Sequence, residues 1–363
     1  MKRVNFLLSG QTPRCYKRIR EFINRGYEVK VYSFDRHTKK VVTDIPTLFI
    51  GDFPNTLPYL KRISIYLKAL RKLFRENRDQ KGVIWYYFGL STCMYAYILN
   101  PNRRYIMEES DMSHMNIRFS IVRNLLERVN RFLIRRSVLS VFTSEGFVKF
   151  HFPEEKSRPG NIVVIPNKLD KAISGMKPLP KTQAKPGTLR FGFAGWIRYE
   201  AVYHMAECIS QLYPQHEFHF FGQPDSDLNE RMFSSLQGRT NVAFHGAFRN
   251  PDDLPKVYAE IDVVVSTYDT QLINVRYAEP NKLYESIYFR TPIIVSSGTF
   301  LEQQVDRYGS GWSVNPENEA DVKALVERIA RELVQRVAAM KEIPQDEAID
   351  REDDLFQMLE SSY

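Results

Sequence analysis

The sequence predicts an α/β chain of two domains, each a parallel sheet wrapped by helices. Three observations carry this. Buried aromatic or β-branched runs alternate with helical patterns along the whole chain, a Pro- and Gly-bearing stretch interrupts the alternation once, and the alternation then restarts. At 363 residues the chain is long enough for two separate cores.

In order, Val4–Leu8, Tyr27–Phe34, Val83–Tyr87, Tyr105–Met107, Val138–Thr143 and Ile162–Ile165 read as strands of the first domain, with helical stretches between them. This domain is assigned to residues 1–170. Residues 171–187 carry Gly175, Pro178, Pro180, Pro186 and Gly187 and read as a linker. A second series opens at Leu189–Gly195 and runs through Phe218–Phe221, Val242–Phe244, Val263–Ser266 and Ile293–Ser296, giving a second domain over 188–345. Residues 346–363 form a tail whose Arg351–Leu359 portion reads as a short acidic amphipathic helix able to pack back on the first domain. Two such domains are expected to face a central cleft, where the carboxyl ends of the strands gather ligands.

Composition sets limits on function. Apolar and charged fractions of 43% and 26% are those of an ordinary globular protein. Cys15, Cys93 and Cys208 are widely spaced with no C-x-x-C, which argues against disulfides and thiolate metal sites and for a reducing, cytoplasmic setting. The apolar run near Met1 is short and followed by Arg14, Lys17 and Arg18, so it reads as a buried strand rather than a secretion signal. Gly82–Leu99 is 18 residues without charge, near the lower limit for a membrane span. Its tyrosines, the glycine at Gly89 and the stop at Asn100-Pro101 suit a strand, a turn and a buried helix instead. Charge is uneven: residues 1–170 hold 31 Lys and Arg against 15 Asp and Glu, and the remainder hold 20 against 28. An anionic partner for the first half is expected. Nucleic acid is not, because the basic residues alternate with aliphatics at helical spacing and no nucleic-acid motif is present.

The most informative stretch is Glu279-Pro280-Asn281-Lys282-Leu283-Tyr284-Glu285, leading into Ser286–Arg290 and the Thr291-Pro292 break before a β-branched strand. A helix N-terminus offers free N–H groups and a positive dipole end to phosphate. Lys282 can neutralise a diphosphate, and the Glu285 carboxylate can accept from both hydroxyls of a ribose diol. The same residues would also suit a solvated helix start with a Lys–Glu pair.

Further fragments join this one. Val164-Ile165-Pro166-Asn167, Phe193-Ala194-Gly195-Trp196-Ile197-Arg198, Val242–Gly246, Leu254–Tyr258, Ile261–Ser266, Glu285–Val295 and Gly309–Trp312 follow one another in an order and spacing that resemble the GT-B fold glycosyltransferases. The resemblance is to glycosyltransferase family 4, which builds bacterial surface polysaccharides, and is clearest over residues 160–315. It implies two Rossmann-like domains and transfer of a sugar from a nucleotide-sugar donor to an acceptor hydroxyl, with retention of anomeric configuration. Carried over, Glu285 matches the ribose-holding glutamate, while Arg198 and Lys282 match basic positions near the diphosphate, with Gly195 admitting the backbone. The family's second glutamate falls where Tyr277 stands here; Glu279, two residues on, is the candidate contact to the donor sugar.

The first half supplies weaker candidates. Gly10 follows the first strand, where the family has a glycine loop near donor phosphates. Glu108, Glu109, Asp111 and His114 crowd ionisable groups after a strand, so Asp111 or His114 can be read as touching donor or acceptor. Asp225-Ser226-Asp227 has the form of a metal-holding D-x-D but sits in turn and helix-cap context, and His216 and His219 point to opposite faces of a strand. No metal and no cofactor beyond the nucleotide-sugar substrate are therefore expected. The lipid-linked or saccharide acceptor that the resemblance implies suits a peripheral enzyme on the anionic inner face of the cell membrane. Leu60, Ile63, Leu67, Leu70 and Phe74, flanked by Lys61, Lys68, Arg71, Lys72 and Arg75, and the Arg-rich stretch Arg118–Arg136 are its candidate docking surfaces. A sugar-nucleotide epimerase of the same fold, using the 108–111 acids, is the alternative.

Overall fold

The computed structural model describes residues 2–37, 41, 43–54, 56–78, 82–224, 232 and 234–362. The chain divides into two compact units, Met1–Pro166 with Arg351–Tyr363, and Asn167–Asp350.

The first unit holds a seven-stranded parallel sheet of β1 (Arg3–Leu8), β2 (Glu28–Asp35), β3 (Thr47–Asp52), β4 (Val83–Phe88), β5 (Tyr105–Glu109), β6 (Leu139–Phe142) and β7 (Ile162–Val164), in the order β3-β2-β1-β4-β5-β6-β7. The central strand β4 is apolar throughout because helices cover both faces, and all six of its residues are buried. Residues 82–99 form β4, a turn at Gly89 with φ of +82°, and the helix Leu90–Leu99. Among the described residues no helix is long and apolar enough to cross a membrane. The sequence pattern misses β3, an edge strand whose Leu48 and Phe49 lie exposed, so its alternation has no buried face to report.

The helix Asp353–Glu360 belongs to this unit. Its Leu355, Phe356 and Leu359 enter the core beside Val4, Phe6 and Phe22, and the Phe22 and Phe356 rings stand 4.7 Å apart. Arg18 on the helix Pro13–Asn24 pairs with Glu352 at 2.6 Å just before it.

The second unit holds a six-stranded parallel sheet of β8 (Arg190–Ala194), β9 (Glu217–Phe221), β10 (Val242–Gly246), β11 (Val263–Ser266), β12 (Ile293–Ser296) and β13 (Gly311–Val314), ordered β10-β9-β8-β11-β12-β13. The four-residue β13 also escapes the sequence pattern, being short and opening on glycine. In both sheets the order reverses beside the first strand, the switch point at which such sheets gather ligands. The stretch 171–187, read from composition as a linker, is packed on the second unit. Lys181 Nζ donates to Tyr258 O at 2.9 Å and Thr291 Oγ1 at 2.8 Å, and Thr182 N donates to Ala259 O. Burial pushes the Lys181 amine down to about 8. Leu169 bridges Ile349, so residues up to 350 stay with this unit.

Candidate functional site

Residues 281–288 form a helix, as the motif requires, with Pro280 at its N-cap and no side chain capping its N–H groups. The contrast with the helix Glu200–Leu212 is informative. There Asp269 accepts from the N–H of Ala201 at 2.9 Å, so that N-terminus is already filled by a carboxylate.

On the 281–288 helix Lys282 and Glu285 are both buried. Glu285 Oε2 accepts from the Tyr258 hydroxyl at 2.8 Å and Oε1 from the Asn281 amide at 2.6 Å, which leaves further lone pairs on the carboxylate. Burial raises the Glu285 pKa, opposed by the Lys282 charge. Burial likewise lowers that of Lys282, opposed chiefly by Glu285, so each charge is sustained by the other. Tyr258 and Asn281 were not singled out from sequence. Asn281 was findable, since it lies one helical turn before Glu285.

Lys282 Nζ sits directly over Gly195: a Cβ added there would come within 2.7 Å of it, and Gly195 has φ of +141°, a backbone open to glycine alone. Gly222, at the end of β9, is as constrained, because its Cβ would fall 1.8 Å from the Gly195 carbonyl oxygen. Arg198 is exposed, its guanidinium 5.0 Å from the Tyr199 ring centre, and close enough to Lys282 to contribute to lowering its pKa. Glu279 is buried and accepts from the Tyr284 hydroxyl; the cap position itself is Pro280, so Glu279 does not cap this helix. The second unit thus brings Gly195, Arg198, Lys282 and Glu285 together, with Glu279 at the entry to the same helix.

In the first unit the crowded acids separate. Glu108 and Glu109 are buried with partners. Glu108 accepts from Arg18 at 3.1 Å and from the Tyr86 hydroxyl at 2.5 Å. Glu109 meets His151 Nε2 at 2.6 Å, and His151 Nδ1 meets Glu127 at 2.8 Å. The expectation that this cluster lies open to a ligand fails for the two glutamates, because buried cations neutralise them. His114 departs from expectation as well: its ring is buried and its Nε2 is tied to Glu127 at 3.1 Å. Asp111 remains exposed and lines a cavity of about 470 Å³ together with Gly10, Arg14, Arg36 and Arg62. These three arginines, scattered through 14–62, gave no local motif by which the sequence could announce them.

The two candidate docking helices differ. On the helix Tyr59–Glu76, Leu70 and Phe74 are buried in the unit, with Ile63 and Leu67 half-buried, while Lys61, Lys68, Arg71, Lys72 and Arg75 face solvent; the Leu60 side chain lies outside the described residues. That apolar stripe serves the core. The helix Ser120–Arg136 instead exposes Ile121 (83%), Val122, Leu125 and Phe132, with Phe119 (72%) just before it, beside its arginines. Asp225 and Asp227 lie outside the described residues.

Residues 188–333 match the family model described as "Glycosyl transferases group 1". No curated protein matches the chain in sequence. Among solved structures it is similar to sucrose-phosphate synthase from Thermosynechococcus elongatus, at 14% identity and a TM-score of 0.73, over 99% of this chain and 100% of the other. It is also similar to HepE from Anabaena in complex with UDP and glucose, at 16% identity and a TM-score of 0.69, over 99% of both chains. WaaG, a glycosyltransferase involved in lipopolysaccharide biosynthesis, aligns over 93% of both chains with a TM-score of 0.66 and 15% identity. At these identities the structures establish the fold, and the match over 188–333 covers most of the second unit. The chain has the two-sheet GT-B fold of these structures, and residues 188–333 of its second unit resemble the group 1 glycosyltransferases.

Proposed function

We propose that the chain moves a sugar from a nucleoside-diphosphate donor to a hydroxyl of a saccharide or lipid-linked acceptor in bacterial capsule, exopolysaccharide or lipopolysaccharide synthesis, with retention. The observation that carries the donor assignment is the buried Lys282–Glu285 pair on a helix N-terminus without a side-chain cap, beside the Gly195–Gly222 close approach. In this reading the lone pairs left on Glu285 hold the ribose diol. Lys282, Arg198 and the helix N–H groups stabilise the negative charge that grows on the diphosphate as the anomeric C–O bond breaks. The acceptor oxygen attacks the anomeric carbon as the bond to the diphosphate breaks, and its proton passes to the departing diphosphate oxygen on the same face of the sugar. Glu279 is assigned to the donor sugar, and Asp111 to the acceptor. Donor complexes solved for a structural neighbour, HepE with UDP-glucose, are consistent with such a substrate class. The test is turnover: incubated with nucleotide sugars and no acceptor, the protein should give only slow hydrolysis, whereas the epimerase alternative requires conversion of the free donor.

Because fixed cations stand where a metal would otherwise neutralise the leaving group, activity is expected to persist in excess EDTA. Loss of activity in EDTA with recovery on adding Mn²⁺ would overturn that and point back to Asp225 and Asp227.

The exposed apolar face of the Ser120–Arg136 helix supports docking on an anionic membrane surface, its arginines contributing about 1 kcal/mol each near the lipid headgroups. We expect co-sedimentation with anionic liposomes at low salt, weakened near 1 M salt where the Debye length shrinks to roughly 3 Å. Ile121→Ser with Leu125→Ser should abolish it, and Lys68→Gln with Arg71→Gln should only weaken it. Indifference of the wild-type protein to anionic liposomes would favour a soluble acceptor.

A further inference from the structure

His219 on β9 faces away from His216, but it acquires a different neighbour. β9 and β10 run parallel with Phe244 opposite Phe220 and Gly246 opposite Phe221, so His245 is an extra residue bulged out of the ladder. A bulge re-aims the side chain it carries. Phe244 stacks on Phe220 on one face, and His245 is turned to the other, where its ring stacks on Phe221 with centroids 4.1 Å apart. There His219 Nδ1 stands 3.0 Å from His245 Nε2. Glu260, just past the helix Leu254–Ala259, completes the group: one donor atom from each of the three residues lies within 4.8 Å of the other two.

We propose that His219, His245 and Glu260 form a divalent transition-metal site that takes Zn²⁺, with the fourth position left to water. Two imidazoles and a carboxylate are a donor set suited to zinc, and a tetrahedral ion with metal–nitrogen bonds of about 2.0–2.1 Å holds its ligands roughly 3.3 Å apart. The two imidazole nitrogens, 3.0 Å apart, are close to that, and the Glu260 oxygen, within 4.8 Å of both, needs to draw in only modestly. The second shell is also in place. Glu217 Oε2 lies 3.2 Å from His219 Nε2, and a carboxylate can only accept, so the proton sits on Nε2 and the Nδ1 lone pair is directed at His245. The two facing nitrogens share the single proton of His245 Nε2, and the cation takes its place as the exposed His245 ring turns and moves that proton to its Nδ1. The Glu260 carboxylate makes no hydrogen bond or ion pair among the described residues, its backbone N–H alone being engaged with Val257 O, and it is available as the anionic ligand. None of the three is assigned to the donor site. The bound ion would tie the edge strand β10 to the segment after the 254–259 helix, at the margin where a sheet is least held.

The test uses the full chain without a polyhistidine tag, stripped with EDTA and dialysed. Titration with ZnCl₂ should show one equivalent bound and a rise in melting temperature, and Co²⁺ should give the visible absorption of a tetrahedral N/O site. His245→Ala, at an exposed position that leaves the fold intact, and Glu260→Gln should each abolish the Co²⁺ spectrum. Glu217→Gln should weaken Zn²⁺ binding on the order of 10–100-fold through the second shell, and His216→Ala should leave it unchanged. Absence of stoichiometric binding by the wild type, or binding that survives His245→Ala, overturns the proposal.

Discussion

Glu285→Ala is expected to cut affinity for a nucleoside diphosphate at least about tenfold, since a hydrogen bond to a charged group is worth roughly 1.5–3 kcal/mol. The substitution removes the carboxylate on which Tyr258 and Asn281 converge and leaves Lys282 without its counter-charge. Two losses are therefore superposed, of the ligand contact and of local order. Tyr258→Phe separates them, because it removes only the hydroxyl that steadies Oε2 and should lower affinity by a smaller factor. Calorimetric titration of both variants with UDP and ADP, alongside thermal melts, reads out each loss. Wild-type affinity in a folded Glu285→Ala protein would remove this residue from the donor site.

His151→Ala should be the most damaging single change to the fold. His151 lies between Glu109 and Glu127 with no solvent exposure, and without it two carboxylates face one another in the core. Breaking a buried ion pair by deleting one partner costs about 3–5 kcal/mol, which for a unit of this size corresponds to about 6–20 °C in melting temperature. The pH dependence follows from the same group. Glu109 and Glu127 hold the His151 pKa up at about 9 against burial, a stabilisation on the order of 3 kcal/mol. It is complete below the ordinary histidine value of 6.5 and is lost as pH rises from there through about 9. The lowered Glu127 pKa, near 2 because of His114, His151 and Arg131, acts in the opposite sense, its share disappearing as pH falls from 4.5 toward 2. Denaturant midpoints should therefore be highest between about pH 4.5 and 6.5 and fall on both sides. In His151→Ala the alkaline decline should disappear; a profile that keeps it assigns the loss to another group.

How much of this was legible in the sequence depends on how local each signal is. Strands buried on both faces announce themselves as unbroken apolar runs, and Val83–Phe88 and Val263–Ser266 needed no partner to be recognised. Glu285, Lys282 and Gly195 were visible for the same reason, since a helix start and a glycine turn are written within a few residues. What escaped was relational. That His114 belongs with Glu127 and His151, 13 and 37 residues further on, cannot be seen from the acids beside it. Nor can spacing alone show that the Leu70–Phe74 stripe is buried while the apolar residues of 120–136 are left open, because both helices have the same amphipathic period. That His245 meets His219 and Glu260, 26 residues before it and 15 after it, is a further case.

The placement of Asp353–Glu360 in the first unit carries a consequence for biosynthesis. A chain is made from its amino end, and domains ordinarily mature in that order. Here the first sheet is translated early, but Leu355, Phe356 and Leu359, which fill its core beside Phe22, emerge only after every residue of 167–350. On the ribosome the second unit can finish while the first still waits with apolar surface uncovered, so the earlier-made half is the one that most needs protection from aggregation during synthesis.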